Sequence, residues 1–132
     1  MLRLEVVTPY RQVLSTEVES VILPTTDGYL GIMTNHAPLV AGLSIGVVYY
    51  GKAGKEKERM AVSGGFVEVS DNKVTILADT AELSGEIDVL RAKEAKRRAE
   101  QRLRQRQANI DFVRAELALQ RALARLRAAG VE

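Results

Sequence analysis

Apolar and polar residues alternate in short stretches over the first 84 residues, and turn residues separate these stretches. Val18–Leu23 and Val74–Leu77 are two of these stretches. A period of two residues is typical of strands that bury one face, and one strand per 8 to 12 residues predicts about eight to ten strands in a sandwich or barrel. The turn signals are Asp27-Gly28, Gly51-Lys52-Ala53-Gly54, Gly64-Gly65 and Asp71-Asn72.

The period changes beyond residue 85, where apolar residues recur at spacings of three and four. This spacing indicates a helix over about 88–106 that begins at Asp88 as N-cap, with Val89, Ala92, Ala95, Ala99 and Leu103 on one face. A turn is expected at Gln107–Asn109, with Asn109 as the N-cap of a second helix over about 110–128. Gly130 should end that helix. The pattern predicts an antiparallel two-helix hairpin after the β region.

Composition divides the chain at the same place. Residues 1–84 hold seven basic and ten acidic side chains, a net charge of −3, whereas residues 85–132 hold twelve and seven, a net of +5. The domains are therefore expected at 1–84 and 85–132. Charged residues interrupt Met1–Val7, which argues against a signal peptide or membrane span and favours a soluble protein on the cytoplasmic side.

The inventory of reactive side chains argues against catalysis. The chain has no cysteine and one histidine, His36, so thiol chemistry and disulfides are excluded, and a zinc site or a Ser-His-Asp triad is improbable. Arginine provides binding and charge stabilisation but neither a nucleophile nor a general base. We expect no catalytic residue and no metal site, and a small enzyme built on the arginines is the weakest of the functional hypotheses.

Basic side chains should crowd together if the two helices lie side by side. For a turn near residue 107, residue i faces about residue 215 − i, so Arg121 and Arg125 come near Arg91. Arg98 and Asp88 share this end of the hairpin, and Glu82 precedes it. The planar guanidinium suits bidentate phosphate contacts, so this cluster favours a polyphosphate ligand. The alternative is a solvated surface with i,i+4 ion pairs.

The hairpin itself should be weakly held. The first helix offers mainly alanine methyls, and each buried CH₂ contributes only about 0.8 kcal/mol. We predict a hairpin that can open or that needs a ligand; a stable solvated helix pair is the alternative. A second basic cluster surrounds the tip and suits an acidic partner surface better than nucleic acid, because Phe112 is the only aromatic residue of the helices. This cluster comprises Arg102, Arg104, Arg106 and Arg114.

Several segments together resemble a known family. Ala61–Val69, Lys73–Ala78, Gly31–Leu39 and Ile87–Lys93 are similar, in order and in register, to the epsilon subunit of bacterial ATP synthase. The resemblance implies a β-sandwich followed by a helical hairpin, in a non-catalytic subunit of the central stalk on the cytoplasmic face of the cell membrane. It also implies that the sandwich binds the gamma subunit and the c-ring. The hairpin would fold on the sandwich or extend toward the alpha/beta hexamer and inhibit ATP hydrolysis, with basic side chains meeting an acidic segment of beta.

The resemblance also assigns residues to a nucleotide site. Some relatives bind ATP through a motif I-D-x-x-R-A, filled here by Ile87, Asp88, Arg91 and Ala92, with accessory positions at Glu82, Arg98, Arg121 and Arg125. ATP would be a regulatory ligand that favours the folded hairpin; whether Mg²⁺ accompanies it is open. Gly31 and His36 lie in the loop that would face the c-ring, although His36 is nearly as well explained as a loop imidazole with no special role. A free-standing nucleotide-sensing adaptor is the alternative function.

Overall fold

The computed structural model describes residues 1–105 and 111–132. Eight strands precede two helices, which confirms the predicted fold class at the lower end of the expected strand number. The strands are β1 Leu2–Val7, β2 Gln12–Val18, β3 Ser20–Thr25, β4 Gly28–Met33, β5 Leu39–Leu43, β6 Gly46–Gly51, β7 Glu58–Ser70 and β8 Lys73–Leu83. A 3₁₀ turn at Ser84–Glu86 leads into α1 Val89–Gln105 and α2 Phe112–Ala128.

The strands fold over into two layers around one aliphatic core. Their order is β2-β1-β8-β7-β5-β3-β4, and β6 pairs with both β3 and β7. Every second residue of β1, namely Leu2, Leu4 and Val6, is fully buried, and these side chains share one cluster with residues of β3 and β6 such as Leu23 and Val48. Alternation therefore marks the buried face, as the sequence pattern predicts.

Gly64-Gly65 differs from its prediction as a turn between strands. Both glycines lie inside the continuous strand β7, whose register to β8 is the same on either side of them although Gly64 itself is unpaired. Gly65 has φ +121°, and a Cβ there would lie 2.0 Å from the Leu77 carbonyl oxygen. A glycine pair thus bends one long strand, so that its first half pairs with β6 and its second half with β5.

The helix starts follow capping chemistry. The Asp88 Oδ1 accepts a hydrogen bond from the Arg91 backbone N–H at 3.1 Å, which confirms Asp88 as the cap of α1. The prediction of Asn109 as the second cap was wrong: Asp111 caps α2, because its Oδ1 accepts from the Arg114 N–H at 3.0 Å. Asn109 itself, the predicted turn and Arg106 lie outside the described residues.

The hairpin is attached to the sandwich mainly through one helix. α2 packs against β6 and β7, whereas α1 packs against α2. Val47, Ala61, Ile87 and Ala128 form a small second core at this junction. Gly130, with φ +79°, follows the last residues of α2 as predicted. Neither described helix is long and apolar enough to cross a membrane.

Candidate functional site

A cleft of about 510 Å³ lies where the end of β8 meets the start of α1 and the last turn of α2. We call it the arginine cleft. Six of the eight residues assigned to the nucleotide site line it: Glu82, Asp88, Arg91, Ala92, Arg98 and Arg125. Both helices and the sandwich thus contribute side chains to one concave surface, so a ligand there would contact three separate elements.

The two remaining residues lie beside the cleft. Arg121 lines an adjoining groove with Arg125 and Glu82, next to the paired hydroxyls of Ser63 and Thr80. Ile87 is buried, with 9% of its surface exposed, in the small core beneath the hairpin. Three guanidiniums therefore line the cleft and a fourth lies in the groove that continues from it.

Local structure positions each arginine. Arg91 is the third residue after Ile87-Asp88, in the first turn of α1, and Arg98 follows two turns later. Arg125 reaches from α2 to β8, where its Nε donates to Glu82 Oε1 at 2.5 Å while both side chains are one third exposed. Within the described residues, Arg91 is the cleft arginine that has no carboxylate within ion-pair distance.

Two further carboxylates line the cleft and were missed by the sequence reasoning. Glu86 accepts from Arg11 through both oxygens, at 2.8 and 2.9 Å, and from the Leu83 backbone N–H at 3.0 Å. The hydrogen bond from Arg11, foremost, lowers the pKa of Glu86 below its ordinary value. Leucine is not a side-chain N-cap, so the sequence offered no capping signal for Glu86, and the approach of Arg11 depends on tertiary structure.

Glu94 is the second missed carboxylate. It accepts from Arg97 at 2.7 and 3.1 Å and from the Arg98 Nε at 3.4 Å. These hydrogen bonds, led by that of Arg97, lower the pKa of Glu94, so it is ionised at neutral pH. The i,i+3 and i,i+4 spacings on α1 could have identified both pairs.

The chemistry available in the arginine cleft is binding. Guanidiniums and helix N-terminal N–H groups can hold an anion, while the lining contains no serine, cysteine, lysine or histidine that could act as a nucleophile. No group of three or more His, Asp or Glu among the described residues is arranged to hold a metal ion. A polyanionic ligand fits this set of side chains.

The predicted basic tip is exposed where the structure describes it. Arg102 and Arg104 lie in the last turn of α1, and Arg114 lies at the start of α2. Val113 and Leu117, two apolar residues four apart on α2, are 71% and 40% exposed. The tip therefore combines positive charge with uncovered apolar side chains, a combination that suits a protein partner.

The loop after β4 carries His36. Gly31 is exposed within β4, and the His36 N–H donates to the Met33 carbonyl at 3.1 Å. Asn35 holds the loop to the β7–β8 turn, because its N–H donates to Asn72 Oδ1 at 2.5 Å and its Oδ1 accepts from Asn72 Nδ2 at 3.2 Å. His36 is half-buried, and its Nδ1 lies 2.6 Å from the Ala37 carbonyl oxygen.

An apolar row on the outer face of the sandwich was also missed by the sequence reasoning. Phe66 and Leu77 are cross-strand neighbours on β7 and β8 and are 64% and 54% exposed. Val7 is the neighbour of Leu77 on β1, and Val40 on β5 is 72% exposed. Because the pattern of alternation marks only one face as buried, apolar residues on the other face indicate a contact surface.

Comparison with known proteins agrees over the whole architecture. Residues 1–84 match the family model of the ATP synthase delta/epsilon chain β-sandwich domain, and residues 86–130 match that of its long α-helix domain. The ATP synthase epsilon chain of Symbiobacterium thermophilum is 59% identical over 96% of this chain and 91% of its own length. That of Moorella thermoacetica is 54% identical over 98% and 96% of the two chains.

Solved structures give the same result. A chain of the mitochondrial ATP synthase of Euglena gracilis, solved as OSCP/F1/c-ring, superimposes with a TM-score of 0.80 at 25% identity, covering 97% of this chain and 80% of that one. A chain of the central stalk and c-ring of the Tetrahymena thermophila enzyme shares the fold, with a TM-score of 0.64 at 17% identity over 97% and 96%. The chain belongs to the ATP synthase epsilon chain family.

Proposed function

We propose that this subunit regulates ATP hydrolysis through its hairpin and that ATP, bound in the arginine cleft, stabilises the folded hairpin. The observation that carries the proposal is the convergence of Arg91 and Arg98 from α1 with Arg125 from α2 on one cleft that also includes Glu82 of the sandwich. A polyphosphate bound there cross-links three elements. The role is regulatory and non-catalytic, and it gives the epsilon subunit a way to respond to nucleotide concentration.

The energetic logic rests on differential binding. A ligand that contacts both helices binds the folded hairpin and loses those contacts when the helices separate, so it shifts the equilibrium by its difference in affinity. At a concentration 100 times its Kd, a ligand specific for one state contributes about 2.7 kcal/mol. That is large relative to a hairpin whose buried helix residues are alanine, apart from Leu126.

Inhibition is the role proposed for the extended hairpin, the alternative to the folded state. α1 contacts mainly α2, and neither helix contributes a residue to the main aliphatic core. The hairpin can therefore leave the sandwich without disturbing that core. The extended hairpin would carry its basic tip along gamma toward the alpha/beta hexamer, where it meets an acidic segment of beta. Deleting residues 85–132 is expected to raise ATP hydrolysis by the reconstituted complex while assembly is unchanged. Unchanged hydrolysis would contradict the inhibitory role.

The sandwich provides the coupling contacts in this proposal. The exposed apolar row of Phe66, Leu77 and Val40 supports binding to gamma, and the exposed loop around His36, with Gly31, supports contact with the c-ring. In this proposal, both contacts would hold the subunit at the periphery of the membrane on its cytoplasmic face and help couple proton flow to ATP synthesis. Co-purification with gamma is expected; purification of the chain free of every ATP synthase subunit would favour the nucleotide-sensing adaptor.

ATP binding is tested by titrating the purified full chain with ATP in a calorimeter. Saturable binding is expected, and Arg91→Ala should weaken it strongly, because that arginine makes no ion pair within the described residues and contributes its charge to the ligand. Arg127→Ala, an exposed arginine of α2 outside the cleft, is the matched control and should bind as the wild type does. Repeating the titrations with EDTA and with Mg²⁺ decides whether the metal accompanies the nucleotide. Equal binding by both variants would refute the site.

A further inference from the structure

The arginine cleft contains more acidic than basic side chains. Glu82, Glu86, Asp88 and Glu94 line it together with Arg91, Arg98 and Arg125. A site for a polyphosphate would be expected to expose positive charge, since like charges near the ligand oppose binding. The four carboxylates therefore need separate explanations, and their contacts provide one for three of them.

Three carboxylates hold the fold together. Glu82 joins β8 to α2 through Arg125, and Glu86 joins the 3₁₀ turn to Arg11 on the β1–β2 connection. Asp88 caps α1. Each of these side chains links two parts of the chain or accepts from backbone N–H groups. Each therefore stabilises the fold, although its negative charge lowers the affinity for an anionic ligand.

Glu94 makes no such link. Its hydrogen bonds all run to Arg97 and Arg98, which lie one turn further along the same helix. Its side chain is 43% exposed, in the middle of α1, where glutamine is an equally good helix former. Arg98, which also lines the cleft, donates its Nε to Glu94 at 3.4 Å, so a phosphate that binds this guanidinium meets a carboxylate already paired with it.

We propose that Glu94 sets the affinity of the arginine cleft for polyphosphate by competing with the ligand for Arg98; this inference rests on the proposed function. The competition raises the ligand concentration at which the cleft fills. A ligand with more phosphates gains more from the Arg98 guanidinium, so Glu94 reduces the affinity for ATP more than that for ADP. The carboxylate thereby tunes the nucleotide concentration to which the hairpin responds.

Glu94→Gln tests this directly, by calorimetric titration of the full chain with ATP and with ADP. An exposed ion pair of this kind corresponds to about a twofold to fivefold change in Kd, so the variant should bind ATP tighter by that factor and ADP by less. Glu116→Gln is the matched control, because Glu116 is exposed on α2 and does not line the cleft. Thermal melting checks that both variants are folded. Equal affinity of the two variants, or weaker binding by Glu94→Gln, would overturn the inference.

Arg98→Ala completes a double-mutant cycle. If Glu94 acts through Arg98, then Glu94→Gln should change the Kd much less in the Arg98→Ala background than in the wild type. The same gain in both backgrounds would mean a general charge effect and would refute the competition. If Arg91→Ala weakens binding and Glu94→Gln has no effect, this inference alone fails; if the wild type shows no saturable ATP binding, the proposed function fails together with it.

Discussion

Leu126 is expected to contribute more than any other buried helix residue to the packing of the hairpin. It is 1% exposed, and every other buried residue of the described parts of α1 and α2 is an alanine. Replacing a buried leucine with alanine costs about 2–5 kcal/mol, through lost transfer free energy and the cavity that remains. Each alanine methyl contributes only about 0.8 kcal/mol, so Leu126→Ala removes much of the apolar packing of the hairpin in one step.

The perturbation should act on the hairpin and spare the sandwich. Because α2 packs against β6 and β7 outside the main aliphatic core, the core around Leu4 and Leu23 does not depend on Leu126. A loss of about 2–5 kcal/mol corresponds to a fall of roughly 30-fold to several thousand-fold in the equilibrium for the packed hairpin. Amide hydrogen exchange measures this, since helix amides exchange through local opening while strand amides report the sandwich.

Leu90→Ala is the matched control for this experiment. It makes the same chemical change on α1, but Leu90 is 79% exposed, so protection of the helix amides should stay near that of the wild type. Equal effects of Leu126→Ala and Leu90→Ala would refute the view that one leucine anchors the hairpin. A loss of protection in β1 and β8 that matches the loss in the helices would show that sandwich and hairpin open as a single unit.

Two further predictions concern the sandwich and the junction. Gly65→Ala should destabilise the protein by more than about 2 kcal/mol in chemical denaturation, because the new Cβ would collide with the Leu77 carbonyl at a left-handed φ; Gly31→Ala, whose Cβ meets nothing within 4 Å, should not. Similar denaturation midpoints for the two would contradict the required bend. Arg11 lowers the pKa of Glu86, so the pair stabilises the fold above the ordinary pKa near 4.5 and loses this effect as the pH falls through the lowered folded value. The difference in melting temperature between wild type and Arg11→Ala should therefore shrink below about pH 4.5, and a difference independent of pH would disprove it.

Local physics made the elements predictable. The change from a period of two to a period of 3.6 near residue 85 separates strands from helices, because each period reflects which side chains can share one buried face. Asp88 was identifiable as a cap because a short carboxylate before a helical pattern satisfies the first N–H groups. Family resemblance in Ala61–Val69 and Ile87–Lys93 added the identity, which spacing alone could not provide.

Other features depended on contacts between residues far apart in the chain. Gly64-Gly65 has the composition of a turn, and only the pairing of β7 with β8, β5 and β6 makes it a bend within one strand. Helical spacing brought Arg91 and Arg125 to one end of the hairpin, but it could not place Arg121 in the adjoining groove, because that depends on how α2 rotates against the sandwich.

The sequence by itself determined the order of strands and helices, the opposite charges of the two halves and the set of arginines at the hairpin's open end. The tertiary structure decided which side chains remain available to a ligand or partner. Glu82 is paired with Arg125 and Glu86 with Arg11, whereas Phe66 stays exposed. The physical reason is that periodicity reports which face of an element is buried, whereas ion pairs and exposed patches depend on which elements meet there.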